Sequence, residues 1–430
     1  MTRLSVIRRL RQFGRADEGQ ALVLGALALV ALMLMAGLGV EVGFLRYQKQ
    51  QMQKAADAGA IAGAAELIYG SPALALVAAQ NDATANGFAN GQNGITVQVN
   101  IPPQSGPFTG NSGYVEVIVA QAQPAFFVRV GGSYNSVNVR SRAVASSLGS
   151  ASGCIYALDP TDSATFTAAG SVNISSNCGI RVNSNSASAF YKTGSGNISV
   201  DRADGIGVVG GVSEAGSGTI TPQPREGIPA FGDPLSGVPA PPVGSCTRTT
   251  PYTLNTPSGG NVPQGVYCGG IVIATNGPVS FDSGTIVVMN GLTVSPGFSP
   301  TLTGSGVTFY NTGNASYPYL PVTITGSASS TLSAPTSGSL AGILVFQDRS
   351  IVDCCGPATV NTIDASHGEI YTGAFYFPTT PVTYTANSTF PPYVIIDAWQ
   401  VAMVGTSAIG ATYTSLPNGA SPIHSAALVE

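Results

Sequence analysis

Charge is scarce in this sequence. Only 9% of its 430 residues are Asp, Glu, Lys or Arg, against about a quarter in ordinary domains. A charge-rich disordered chain is excluded, because 44% of the residues are hydrophobic. A net charge of −4 supplies no basic field, so nucleic acid is not an expected partner. Histidine occurs only at His367 and His424, and no C-x-x-C pair is present, which argues against zinc. G-x-S-x-G, P-loop and H-E-x-x-H motifs are also missing. No cofactor, metal site or catalytic residue is therefore expected.

One long apolar run stands out. Ala21–Val40 reads ALVLGALALVALMLMAGLGV without a charge. At about 1.5 Å per residue such a helix matches the hydrocarbon thickness of a bilayer. Arg3, Arg8, Arg9, Arg11 and Arg15 precede it. A signal peptide has a shorter apolar core and a small-x-small cleavage site; Ala36-Gly-Leu-Gly39 supplies small residues, so that alternative stays open. The following segment favours an anchor, because Val42 to Leu67 is rich in helix-forming Gln, Lys, Met and Ala and has no breaker. The arginines then stay in the cytoplasm and the C-terminal bulk is exported. Glu41, at the exit of the span, reads as a border residue facing headgroups, or as half of an intersubunit salt bridge.

The rest of that helix is made of small residues. Gly59 and Gly63 share one face within an alanine run, Ala55 to Ala65, that lets another backbone approach. The partner is either the chain's own sheet or a neighbouring copy. Asp57 follows Lys54 by three, the spacing of a surface ion pair. Ser71-Pro72 predicts a capped second helix from Pro72 to about Ala85. Alternating runs at Ile95–Ile101, Tyr114–Ala120 and Val137–Val144, with a short run at Phe126–Val130, predict an antiparallel sheet. Glu116 is expected to point outward, and the helices to cover the apolar face.

After the Gly/Ser-rich joint Ser146–Gly153 the pattern changes. Strands shorten to runs such as Ile271–Ala274, Val279–Phe281, Thr285–Asn290, Leu292–Val294, Val307–Tyr310, Gly342–Phe346, Glu369–Phe377 and Tyr393–Ile396. Gly, Asn, Ser and Thr fill the gaps. Coils of a parallel β-helix fit this string, and a β-sandwich is the alternative. Proline-rich Thr219–Gly244 predicts an excursion over the surface. Segments are thus expected at 1–20 (basic tail), 21–40 (transmembrane helix), 41–147 (helix-and-sheet module) and 150–430 (exported β domain).

All six cysteines lie in the β-rich part, an even count that suits an oxidising compartment. Spacing suggests Cys154–Cys178 and Cys246–Cys268, each closing a loop worth about 3 kcal/mol. Cys354 and Cys355 form a vicinal bridge or pair elsewhere. The densest polar groups are Asp348-Arg349 with Asp353, and Asp364 with His367 and Glu369; neither matches a carboxylate pair for glycoside hydrolysis, and His367 with Glu369 reads as a surface pair, with metal ligands or an acid/base pair as the alternative. Asp159 and Asp162 read as a turn, and Trp399 as a core residue or a sugar-facing ring.

The N-terminal pattern resembles Tad-type pilus-assembly proteins of the TadG-like group. An apolar span opens with Gly19 and Ala21 and ends at Glu41; Gln48 to Lys54 follow, then Ala55-Ala-Asp57-Ala. The resemblance covers about residues 17 to 69 and implies a pilin-like fold for the helix-and-sheet module. Prepilin relatives carry Glu five residues after a cleavage glycine, whereas Gly14, Gly19 and Gly25 are followed at that distance by Gly19, Leu24 and Val30. The D-x-S-x-S metal motif of von Willebrand A-type domains is not matched at Asp282 or Asp364. The resemblance implies a single-pass inner-membrane component of a Tad/Flp pilus or its secretion machinery. Its partners would be other pilus components or copies of itself. A surface adhesin or glycan-binding protein is the alternative, and a β-helix carbohydrate-active enzyme a second.

Overall fold

The computed structural model describes residues 4–69, 71–127, 129, 135–150, 153–200, 205–326, 330–351, 359–388, 393–410, 414, 416 and 421–430. The chain forms two compact units, Met1–Gly149 with Ala426–Glu430, and Ser150–Ser425.

In the first unit, α1 (Leu4–Tyr69) is one continuous helix of 66 residues. The second helix, α2 (Pro72–Ala85), starts as its sequence dictates. Ser71 is the N-cap, its Oγ accepts the Leu74 N–H at 3.4 Å, and Pro72 opens the first turn. Strands β1 (Ile95–Asn100), β2 (Tyr114–Pro124) and β3 (Ser136–Ser150) pair antiparallel, with Val97 opposite Val119 and Val117 opposite Ala143. Val115, Val117 and Val119 alternate onto one face and pack with Met52, Ala55, Ala56, Ala60 and Ala64 of α1. The small helix residues bring the backbone of α1 close to this sheet.

Three features of this unit depart from expectation. Phe126 and Phe127 form a bend rather than a strand; Val128 and Val130 lie outside the described residues. Glu116, expected outward, is fully buried, because the loop after β1 folds over that face of the sheet. The final strand, His424–Leu428, is the sheet's fourth and follows β3 in the pairing order. The exported β domain expected over 150–430 therefore gives up its last residues, whose run HSAAL has no period-two apolar pattern to announce a strand.

The second unit is a stack of parallel strands in a 14-stranded and a 13-stranded sheet. Each strand pairs with its counterpart one coil later: Ile271 with Leu292, then Leu292 with Val322. This is the arrangement of a parallel β-helix, not the antiparallel pairing of a sandwich. Inward residues form one continuous core, including Ile273, Val294, Ile324, Ile363 and Met403. The turns stack too. The Asn173 side-chain oxygen accepts the Asn197 N–H at 3.0 Å, and the Asn197 oxygen accepts the Thr219 N–H at 2.9 Å. Gly170-Ser-Val-Asn173, Gly194-Ser-Gly-Asn197 and Gly216-Ser-Gly-Thr219 repeat this turn in successive coils. A Cβ on Gly194 or Gly196 would strike the backbone of the turn below, so only glycine fits there. Disulfides join Cys154 to Cys178 and Cys246 to Cys268, with Cα separations of 5.6 and 5.7 Å. Each bridges neighbouring coils. Cys354 and Cys355 lie outside the described residues.

Axial order in this stack differs from chain order. The first coils wind from Gly153–Ala157 to an edge at Arg225–Glu226. The chain resumes at the opposite edge, Tyr252–Leu254 and Gly260–Val262, and winds back. Its last coil lands on its first: Ile396 pairs with Ile155, and Val401 with Phe166. The proline-rich stretch forms the two-residue edge strands Ile220–Thr221 and Arg225–Glu226, then leaves the sheets as a strap. Along the path of ten paired strands, a spacing of about 4.8 Å sets a crossing on the order of 43 Å. About 13 extended residues reach that far. Prolines keep this segment extended and out of the ladders.

The strap covers the outer face of the larger sheet. Leu235 is buried against Tyr156, Tyr310, Phe346, Tyr376 and Ile395, with Phe231 and Val238 packed beside it. Strands Gly153–Ala157, Val307–Asn311, Ile343–Gln347 and Val394–Ala398 are consequently buried on both faces. A protease site inserted at exposed Gly237 tests this closure. After cutting, the two fragments are expected to co-elute in native buffer and separate only in denaturant, although neither described disulfide links them. Separation in native buffer would contradict the closure.

Candidate functional site

The predicted site residues of the first unit line α1. Leu22–Ile68 is long and apolar enough, by length and composition, to cross a membrane. Near the end of its apolar stretch, Glu41 is buried, only 3% exposed. Its Oε1 accepts the Phe126 N–H and its Oε2 the Phe127 N–H, each at 2.8 Å. Neither expectation for Glu41, a headgroup-facing border residue or an intersubunit salt bridge, describes this position. The carboxylate is taken by the bend between β2 and β3, whose free N–H groups need acceptors. The ring of Phe127 occupies the space a side chain on Gly37 would need.

Further along α1, Gly59 and Gly63 pack within their own unit. A Cβ on Gly59 would come within 2.8 Å of the Ala79 carbonyl of α2, and one on Gly63 within 2.9 Å of Val115 of β2. Asp57 accepts a 2.7 Å hydrogen bond from Gln53 rather than pairing with Lys54. Gln53 also donates to the Arg142 carbonyl at 2.9 Å, and Ser141 Oγ donates to the Lys49 carbonyl at 3.0 Å. These bonds fasten α1 to β3.

On the opposite face of the sheet Glu116 gathers four donors. Ser105 Oγ and Arg142 Nε reach Oε1 at 2.6 Å; Asn100 Nδ2 and the Gln104 N–H reach Oε2 at 2.6 and 3.1 Å. Arg142 also pairs with Glu430 at 2.7 Å, tying in the last residue of the chain. Burial alone would raise the Glu116 pKa. The hydrogen bonds outweigh it and hold the carboxyl at about 2, against an ordinary 4.5.

In the β unit the densest polar cluster fastens the strap. Tyr376 Oη donates to Asp233 of the strap at 2.5 Å and accepts from Arg349 Nε at 2.6 Å. Arg349 Nη2 donates to the Leu235 carbonyl at 2.6 Å, and its guanidinium lies over the Phe346 and Tyr376 rings. Asp397 is fully buried nearby, and burial, then the charge of Asp233, push its carboxyl well above the carboxylate range. The partners of Arg349 come from segments remote in sequence, so the short run Asp348–Asp353 does not reveal them.

The other predicted clusters serve turns and ties between coils, Gln400 donating to Asp159 at 2.9 Å. Asp159 Oδ1 accepts the Thr161 and Asp162 N–H groups at 2.9 and 3.0 Å. Asp348 accepts from Thr312 at 2.6 Å and from the Ser350 N–H at 2.9 Å; Asp353 lies outside the described residues. Asp364 caps the Ser366 N–H, and Glu369 accepts the His367 N–H while the His367 ring stays exposed. Trp399 is half-buried against the strap cluster. Among the described residues no three His, Cys, Asp or Glu side chains gather as a metal ion requires.

The Glu116 network yields a pH prediction. A depressed folded pKa contributes stability that is present above about 4.5 and lost as pH falls toward about 2. Glu116→Gln is expected to be less stable at pH 7, by at most about 3 kcal/mol. That gap should close through this window, measured by urea unfolding followed through amide exchange of β2 and β3. A gap independent of pH would show that the carboxylate is not held by these donors.

No curated protein and no solved structure matches the chain. Residues 19–66, the part of α1 that carries Glu41, Asp57, Gly59 and Gly63, match the family model described as putative Flp pilus-assembly TadE/G-like, which supports a pilus-related role.

Proposed function

We propose that the protein is a membrane-anchored structural component of a Tad/Flp-type pilus or of its assembly and secretion machinery. The carrying observation is that one continuous helix contains the family-matched stretch, the membrane-length apolar run and the residues that pack the helix-and-sheet module. In this reading α1 crosses the inner membrane once. The arginine-rich tail stays in the cytoplasm, and the β unit lies in the periplasm or outside the cell. Two disulfides fit an oxidising compartment. Partners are other Tad/Flp components or further copies of this chain. The role is structural rather than enzymatic, a reading supported by carboxylates that serve turns and the strap.

Fractionation combined with deletion tests the proposal. The intact chain is expected in carbonate-resistant membranes, with the β unit digested by protease supplied outside the inner membrane. Deletion is expected to abolish piliation. Normal pili after deletion, with no pilus protein co-purifying with the chain, would contradict it.

One observation favours a second reading, a glycan-binding or adhesive role for the β unit. Thr293, Thr323, Thr362 and Thr383 stand in register on successive strands, partly exposed, as a row of hydroxyls. Binding of the detergent-solubilised chain to a glycan array, lost on replacing these threonines with valine, is the expected result. A blank array rejects this reading.

A further inference from the structure

Between Glu18 and Arg46 the only charged residue of α1 is Glu41, and Glu41 is buried beneath the Phe126–Phe127 bend. The apolar surface of the helix therefore does not stop at Val40. Val40, Val42 and Phe44 are all exposed, Val40 by 71%. Phe126, at 63% exposure, and Phe127, at 39%, add two aromatic rings to the same surface. Phe127 lies against Gly37, one turn before Glu41, so the bend sits level with the last turns of the apolar run. Exposed Arg46 and Tyr47 come one turn later, the residue types that mark the headgroup level of a span.

We propose that the Ala125–Phe127 bend is a second membrane contact, a wedge that places its phenyl rings in the outer leaflet of the bilayer crossed by α1. Its ligand is the acyl-chain and headgroup boundary of that leaflet. The inference rests on the anchoring reading above. It follows from continuity: the exposed rings extend a helix surface that faces lipid on either side of them. From Ala21 to Leu45 that surface is on the order of 37 Å long at about 1.5 Å per residue. The bend thus lies at the membrane face whichever end of the span is fixed first. The contact has two effects. It covers the one carboxylate that the apolar stretch carries, and it fixes the rotation of α1 relative to its sheet, because the same bend engages both Glu41 and Gly37.

Depth-dependent fluorescence quenching of the full-length chain tests the wedge. Phe126→Trp and, as reference, Leu32→Trp in mid-span (66% exposed) are reconstituted into phosphatidylcholine/phosphatidylglycerol vesicles. These carry bromines at shallow or deep acyl positions. Trp399, the only native tryptophan, gives a background recorded on the unsubstituted chain and subtracted. The wedge predicts that Phe126→Trp is blue-shifted and loses more intensity to shallow than to deep bromines, with the reverse order for Leu32→Trp. If Leu32→Trp is quenched and Phe126→Trp is not, the wedge is overturned and the anchor stands. A blue-shifted Phe126→Trp that bromines do not reach would mean a second copy covers the rings, and also overturns it. If neither is quenched, the anchoring reading itself fails.

Discussion

A carboxylate on an apolar helix has to find donors. At the centre of a membrane an acidic residue costs about 2.5–3.5 kcal/mol, and without partners it disrupts any surface that buries it. Glu41 meets this constraint with two backbone N–H groups from the β2–β3 bend, and hydrogen bonds to charged groups contribute about 1.5–3 kcal/mol each. The rest of the first unit follows. The bend can reach Glu41 only if β2 and β3 lie along α1. They do so because Ala55, Ala56, Ala60 and Ala64 leave room for Val115, Val117 and Val119. Gln53 and Ser141 then fix the sliding position of helix on sheet. Glu116 and Arg142 close the opposite face.

The β unit solves a different problem. A stack of coils has two open edges, and its outward faces stay wet unless something covers them. Here the chain begins inside the stack, winds to one edge, crosses back and returns to pair with its own start. The crossing segment covers the larger sheet, so aromatic residues such as Tyr310 and Phe346 point outward and remain buried. Asp233, Tyr376 and Arg349 hold the strap through polar contacts at its middle. Charged Glu214, Arg225 and Glu226 sit on the far edge strands, a common protection against edge pairing.

Much of this was legible because local chemistry decides it. The Ser71 cap, the alternating strands β1 to β3 and the short strands of the β unit all follow from neighbours in sequence. The cysteine pairs were legible because their spacing equals one coil. Non-local features were not. The donors to Glu41 are backbone groups 85 and 86 residues away, and a backbone N–H leaves no mark in a sequence. Phe126–Val130 has the apolar content of a strand, yet Glu41 takes the backbone amides of Phe126 and Phe127. Glu116 alternates as a solvent-facing residue should, and only the loop over it reverses that. Axial order in the stack is invisible to strand spacing, since each coil looks alike wherever it stands. The repeated Gly-Ser-x-Asn/Thr turns, by contrast, are a local signal of stacked coils.

The central claim is that the Glu41 carboxylate organises the anchored unit by holding the Phe126 and Phe127 amides. Dipolar recoupling by solid-state NMR measures this directly, with ¹³C on the Glu41 carboxyl, ¹⁵N on the two phenylalanine amides and the full chain in lipid bilayers. Both amides should dephase as N–H···O contacts of 2.8 Å require. Amides that do not respond to the Glu41 carboxyl label would contradict the account.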